Sequence, residues 1–226
     1  MGFGWLEITV SALLITLIGG TILTRGRSWL DPVFWKRFAI VGSLVMFTFL
    51  WILTFDTLRK TAVGTDRVPN PTVINKKIGY EMDYERGYFM PVILGEEPLF
   101  GKVYSEQEAT ELLVKGKLVI QSRNCMDCHT LLGNGAYYAP DLTKAWLDPK
   151  WEKVMMPMTG AKTKEEAMVK FLMYPDKFAT WTRRMPNLHL SEEEARAVVA
   201  YLKWMSAINT NGFPDHFGRS KLVSLD

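Results

Sequence analysis

The residues with most chemistry to offer stand together at Cys125-Met126-Asp127-Cys128-His129. Two thiols three positions apart suit the two vinyl groups of one porphyrin, and an imidazole directly after them suits its iron. The chain has 2 Cys and 3 His in 226 residues, so this pentapeptide uses every thiol present. Three other chemistries use a C-x-x-C pair. A thioredoxin-like dithiol sits in βαβ alternation, and none surrounds this one. A zinc site needs four ligands, and neither a second C-x-x-C nor an H-x-x-x-H follows. A structural disulfide would be a lone staple outside any disulfide framework. The pattern therefore reads as covalent haem, with Cys125 and Cys128 as thioether anchors and His129 as the proximal iron ligand.

The sixth iron ligand must come from farther along. Met185, in Trp181-Thr182-Arg183-Arg184-Met185-Pro186, lies just before a predicted helix, and its thioether would favour Fe(II), as suits an electron carrier. Its rivals are His189 and the Met155-Met156-Pro157-Met158 cluster; most of the 12 Met are expected to fill core gaps. Arg183 and Arg184 match haem carboxylates in bidentate fashion, or else form a solvated basic surface. Pro140, in Ala139-Pro140-Asp141-Leu142, resembles the proline of small c-type cytochromes whose carbonyl accepts from the proximal histidine; a plain turn proline is the alternative. Gly133 and Gly135 flank Asn134 in a loop where backbone can approach a partner or ion closely. Tyr201 and Trp204 share one side of a helix and are expected to pack against another. No catalytic triad, P-loop or paired-carboxylate motif is present. A six-coordinate iron has no open position for substrate, so electron transfer is expected rather than bond chemistry. A net charge of +3 is close to balance and gives no sign of a nucleic-acid partner.

Three capped helices are predicted to position these groups. Ser105-Glu106-Gln107-Glu108 is a capping box opening a helix that runs to about Ser122. Thr163-Lys164-Glu165-Glu166 opens a second, stopped by Pro175, and Ser191-Glu192-Glu193-Glu194 opens a third that continues through Trp204. They define a small all-α domain over residues 105–226. Residues 57–104 hold Pro69, Pro71, Pro91 and Pro98 among many aromatics. Strands and extended chain are both open there; the expectation is an ordered connecting segment packed on a partner or on the haem domain. Residues 1–56 read as a membrane anchor. Neither Ile8–Thr24 nor Phe38–Phe55 carries a charge, and at about 1.5 Å per residue each nearly crosses a hydrocarbon core of about 30 Å. A cleaved signal peptide would need a basic start and a small-residue cleavage site, which are missing. A buried soluble helix would show a polar face. Two membrane helices are therefore expected, joined by a basic loop (Arg25, Arg27, Lys36 and Arg37 against Asp31) that should be cytoplasmic, although Arg59, Lys60 and Arg67 weigh the other way.

The run Cys125–Leu142, CMDCHTLLGNGAYYAPDL, closely resembles the cytochrome c subunit of bacterial nitric oxide reductase, where the haem motif continues as H-T-L-L-G-x-G-A-Y. Arg184-Met185-Pro186, Leu190-Ser191, Leu202-Lys203-Trp204 and Ile208-Asn209-Thr210-Asn211 also look like that family's distal-ligand loop and terminal helix. The likeness covers about residues 105 to 215. It implies an all-α protein: N-terminal transmembrane helices followed by a small class I cytochrome c-like domain with one haem c. That domain would lie on the periplasmic side of the bacterial inner membrane. It would take electrons from a soluble periplasmic cytochrome c or cupredoxin and pass them to haem b of a large haem b/non-haem iron membrane subunit, which reduces two NO to N2O. This chain would be the non-catalytic electron-entry subunit of the enzyme, in contact with membrane lipid. The resemblance also implies a calcium ion at the subunit interface, touching Gly135 and Tyr137. The usual family member has one membrane helix and a short approach to the haem domain; here a second apolar segment and residues 57–104 are added. The alternatives are a monohaem subunit of a haem–copper oxygen reductase and a free-standing membrane-anchored carrier.

Overall fold

The computed structural model describes residues 5–23, 31–65, 67–179 and 184–214. They fall into two compact units, Met1–Leu58 and Arg59–Asp226.

The first unit is helical. Helix α1 spans Trp5–Leu23 and α2 spans Pro32–Thr61. Asp31 starts α2 by accepting the Val33 N–H at 2.9 Å, with Pro32 in the first turn, where its missing N–H costs nothing. No residue of α2 is buried. Its aromatics stack four residues apart, Phe47 on Trp51 and Trp51 on Phe55. The threonine hydroxyls turn inward on their own helices: Thr16 donates to Ala12 O at 2.7 Å, Thr21 to Leu17 O at 2.8 Å and Thr48 to Leu44 O at 2.9 Å. Hydrocarbon requires such internal satisfaction of polar groups. Among the described residues one helix, α2, is long and apolar enough to cross a membrane; the apolar run in α1, Ile8–Ile22, is shorter. The first of the two expected spans coincides with α1, a helix of 19 residues, and the second with α2. Arg25 and Arg27 of the expected basic loop lie outside the described residues.

The second unit begins with a 3-10 turn at Pro71–Asn75 and a hairpin of strands β1 (Lys76–Asp83) and β2 (Tyr88–Glu96). They pair antiparallel, with an irregularity between Lys77 and Ile78. Asp83 shapes the turn by accepting the Glu85 and Arg86 N–H groups, and Gly87 takes a φ of 73°. Pro91 sits within β2 opposite Tyr80, which a two-stranded ribbon tolerates because one edge of each strand is unpaired. The hairpin is therefore where the sequence left strand and extended chain undecided. It is also packed on the rest of its unit. Val73, Ile74, Ile78 and Leu99 join the hydrophobic core, Asn75 and Tyr104 exchange hydrogen bonds of 2.8 and 2.9 Å, and the Trp204 indole donates to Pro69 O at 2.9 Å.

Helices α3 (Glu106–Ser122), α4 (Met156–Thr159), α5 (Lys164–Met173) and α6 (Glu192–Ser206) complete the unit. Two residue pairs, Thr130–Leu131 (β3) and Asn134–Gly135 (β4), form a minute antiparallel ladder. Each expected cap is in place. Ser105 and Glu108 form one reciprocal capping box and Ser191 and Glu194 another, while Thr163 accepts the Glu166 N–H. Glu194 also receives the Arg123 guanidinium through contacts of 2.8 and 3.1 Å, tying the end of α3 to the start of α6. The Ser191 backbone N–H first, then Arg123, hold the Glu194 carboxyl below its ordinary range. Ser191→Ala should cost about 1 kcal/mol, read as a lower denaturant midpoint at unchanged slope.

Helices α3 and α6 cross at Gly116. A Cβ added there would stand 2.2 Å from Ala197 O and 2.8 Å from Tyr201 Cβ, so the backbones touch with nothing between them. Around the crossing, α3 buries Ala109, Leu113, Val119 and Ile120, and α6 buries Ala195, Val198, Val199, Leu202 and Met205. With Gly116 between Leu113 and Val119, they fall at the three- and four-residue spacings of a core-facing stripe. Tyr201 packs at this crossing, as expected, and Trp204 turns to Pro69.

Candidate functional site

The site opens where α3 ends. Asn124, at φ 53°, turns the chain, and Cys125–Asp127 forms one 3-10 turn. Cys125 O accepts from Cys128 N at 3.3 Å and His129 N at 3.0 Å. One carbonyl thus folds thiol, thiol and imidazole into a single turn. Both cysteines are free and half-buried. Burial, more than the nearby Cys128, pushes the Cys125 thiol up.

His129 Nδ1 stands 2.7 Å from Pro140 O. A carbonyl only accepts, so Nδ1 carries the proton and Nε2 presents its lone pair. The tautomer required of an iron ligand is thus set by the protein.

The intervening loop folds back over the cysteine turn. After Leu132 (φ 49°) and Gly133 (φ 83°), the chain returns so that Ala136 N donates to Met126 O at 2.9 Å and Ala139 N to Cys128 O at 2.8 Å. Gly135, at φ 117°, passes so close that a Cβ would lie 2.2 Å from His129 O. Only glycine fits there, on both conformation and space. Gly135 itself is exposed and Tyr137 is 81% exposed at the loop's outer edge. Among the described residues no group of three or more His, Cys, Asp or Glu could hold a metal ion.

Met185 lies half-buried in an irregular segment before α6. Partly buried Leu188 and fully buried Leu190 anchor that segment. The Asn187 amide donates to Asp176 Oδ1 at 3.1 Å, while Asn187 Oδ1 accepts the His189 N–H at 2.9 Å. His189, the rival ligand, has φ 53° and is exposed. In the other rival cluster Met155 is buried and Met158 exposed. Arg184 is exposed, and Arg183 lies outside the described residues.

Three groups had no sequence signal. Trp146 is 1% exposed, and its indole N–H finds no acceptor among the described residues. The Lys164 and Lys203 ammonium groups lie 4.3 and 4.8 Å from its ring centre. A buried donor without an acceptor is costly, and haem carboxylates would supply one. With the paired thiols and the tautomer of His129, the residues present fit a covalent haem. Lys203 is itself buried and donates to Glu97 Oε2 at 2.9 Å. Lys144, also buried, donates to Ser206 O at 3.1 Å and to Ile208 O, closing the end of α6.

Burial pulls the Lys144 pKa from 10.5 down to about 8, against a smaller opposing pull from Asp141. Between those values the unfolded chain binds more proton than the folded one, so stability rises with pH across this window. Below pH 8 the cost of the buried charge is fully present. The relief amounts to something on the order of 3 kcal/mol. It should appear as an upward slope of unfolding free energy in the native protein that flattens in Lys144→Met.

Comparison with known proteins places this geometry. Residues 113–206 match the cytochrome c family, whose members bind haem c covalently. The C subunit of nitric oxide reductase from Stutzerimonas stutzeri is 35% identical over 131 residues, 56% of this chain and 84% of that protein. That of Paracoccus denitrificans is 30% identical over 156 residues, 63% of this chain and 95% of its own. The Cereibacter sphaeroides protein of the same name is 30% identical over 105 residues, 46% and 67% respectively.

Proposed function

This chain belongs to the family of nitric oxide reductase cytochrome c subunits, and on that premise we propose that it is the electron-entry subunit of such an enzyme. It takes electrons one at a time from a soluble periplasmic cytochrome c or cupredoxin and delivers them to haem b of the catalytic membrane subunit, where two NO become N2O. The haem supplies a reversible Fe(II)/Fe(III) couple. With only two cysteines in the chain, one haem is bound. Cys125 and Cys128 would hold it as thioethers, each S–H adding across a vinyl group, sulfur to one carbon and hydrogen to the other, without need of an oxidant. His129, its ring fixed through Nδ1 by Pro140 O, would offer Nε2 to the iron, and Met185 would offer its thioether. Trp146 N–H, Arg183 and Arg184 would donate to the haem carboxylates. With both His129 and Met185 as ligands the iron would have no open position for NO or oxygen, so the chain would move electrons and leave bond chemistry to its partner.

Helix α2 anchors the chain in the bacterial inner membrane, with α1 as an additional lipid-embedded helix and the haem domain on the periplasmic side. On this reading the chain divides into an anchor at 1–56, a connecting segment at 57–104 and a cytochrome c domain at 105–226. The carbonyls of Gly135 and Tyr137, at the exposed edge of the loop, offer oxygen ligands to a calcium ion shared with the partner.

The observation that carries the proposal is His129: Nδ1 engaged, Nε2 spare, one turn from two thiols, in a chain aligned over 84% of a nitric oxide reductase C subunit. Purification of the intact complex from native membranes tests it. A large haem b subunit should co-purify, and the complex should consume NO when a reduced donor is supplied. Oxygen consumption by a copper-containing complex, or a solitary cytochrome of 25.9 kDa, would overturn it.

A further inference from the structure

We propose that Asp141 is a positioning residue for the proximal iron ligand, acting through Thr130 and Thr143 on the Pro140 carbonyl. This rests on the reading of His129 as the haem's proximal ligand. The carbonyl that meets His129 Nδ1 belongs to the peptide joining Pro140 to Asp141, so whatever holds Asp141 aims that oxygen. The Asp141 carboxylate is held twice. Oδ2 accepts the Thr130 hydroxyl at 2.6 Å, and Oδ1 accepts the Thr143 N–H at 2.8 Å. Thr130 is the next residue after His129. One carboxylate therefore bridges the segment that follows the ligand and the segment that bears its acceptor.

Two further bonds close the same unit. Leu142 N donates to Thr130 O at 2.8 Å, and Leu132 N donates to the Thr143 hydroxyl at 2.8 Å. Thr130 and Thr143 are 1% and 0% exposed. A hydroxyl buried that deeply is costly when unpaired, so each has strong reason to keep its partner. Asp141 also acts on the Lys144 ammonium, favouring its charge. Residues 130–132 and 141–143 are thus laced into one block, with the His129–Pro140 bond at its open end.

That bond makes the His129 ring more basic, which favours Fe(III). Loosening the block should weaken the bond and move the midpoint potential upward. Removing the Asp141 charge would do the same through electrostatics alone, so Asp141 variants do not decide the matter by themselves. Thr130→Val decides it, because it removes the hydroxyl while keeping shape and charge. In the full-length holoprotein, Thr130→Val should raise the midpoint potential and speed solvent exchange of the His129 Nδ1 proton, measured by NMR. Asp141→Ala should shift both further. Asp141→Asn, whose amide can still join Thr130 and Thr143, should lie between wild type and Asp141→Ala.

The proposal fails if Thr130→Val leaves potential and exchange unchanged while both Asp141 variants shift the potential equally, because the carboxylate then acts only as a charge. If Thr130→Val does not accumulate as holoprotein, Thr130→Ser decides. Wild-type potential and exchange in Thr130→Ser support the hydroxyl's role; failure of both variants to accumulate reduces Thr130 to packing and overturns it. A wild-type chain without thioether-linked haem sinks the functional reading itself, whereas normal haem with a silent Thr130→Val sinks this inference alone.

Discussion

Met185→Ala should abolish the near-infrared sulfur–iron absorption of the ferric protein and lower its midpoint potential. A thioether is a soft ligand that stabilises Fe(II), so its loss favours Fe(III). The fall should be a substantial part of the roughly 0.8 V range that axial ligation spans. The segment around Met185 has its own anchors: Leu188 and Leu190 in the core and the Asn187–Asp176 hydrogen bond. The variant should therefore lose its ligand without losing its fold, and far-ultraviolet circular dichroism should be unchanged. An alanine variant that keeps the band would transfer the role to the Met155–Met158 cluster. A wild-type protein that never shows the band would instead point to His189, which would have to leave its exposed position to reach the iron.

Gly116→Ala should produce the largest loss of stability from the smallest change. Helix propensity alone favours alanine by about 1 kcal/mol, so any destabilisation reports the crossing of α3 and α6. The added methyl would meet backbone, Ala197 O at 2.2 Å and Ala197 C at 2.7 Å, and backbone in a helix cannot swing aside. Separating the helices would loosen the packing of Leu113, Ile120, Val198 and Leu202 together. A net cost of about 3 kcal/mol is expected, at the upper end for overpacking. In a unit of this size that lowers Tm by roughly 6–12 °C, readable by calorimetry of the holoprotein. Gly79→Ala is the control. Its methyl meets only the side-chain end of Leu94, which is 61% exposed and free to rotate, so it should be close to neutral.

The parts of this protein legible in the sequence are those whose physics acts within a few residues. A haem attachment turn needs two thiols and an imidazole within five positions. A capping box needs Ser and Glu three apart. The starts of α3, α5 and α6 accordingly follow from Ser105, Thr163 and Ser191, and the apolar run of α2 declares itself by composition. The likeness around His129–Tyr137 is of the same local kind.

What only the tertiary structure decided depends on residues far apart in the chain. Nothing in the sequence marks Lys144 as the group that closes α6, because its acceptors, Ser206 and Ile208, are 62 and 64 residues away. Trp146 is an ordinary core aromatic until burial leaves its indole N–H without an acceptor among the described residues. Residues 76–96 are neither clearly strand nor clearly coil until Tyr80 and Phe89 meet across the ribbon and Lys203 reaches Glu97. The clearest contrast lies at the haem motif itself. The sequence by itself named the candidates, two thiols and an imidazole, because a haem attachment motif is a matter of residue type and spacing. The fold decided how the ligand is held, through Pro140, Asp141, Thr130 and Thr143, because a hydrogen bond exists only where packing brings donor and acceptor together.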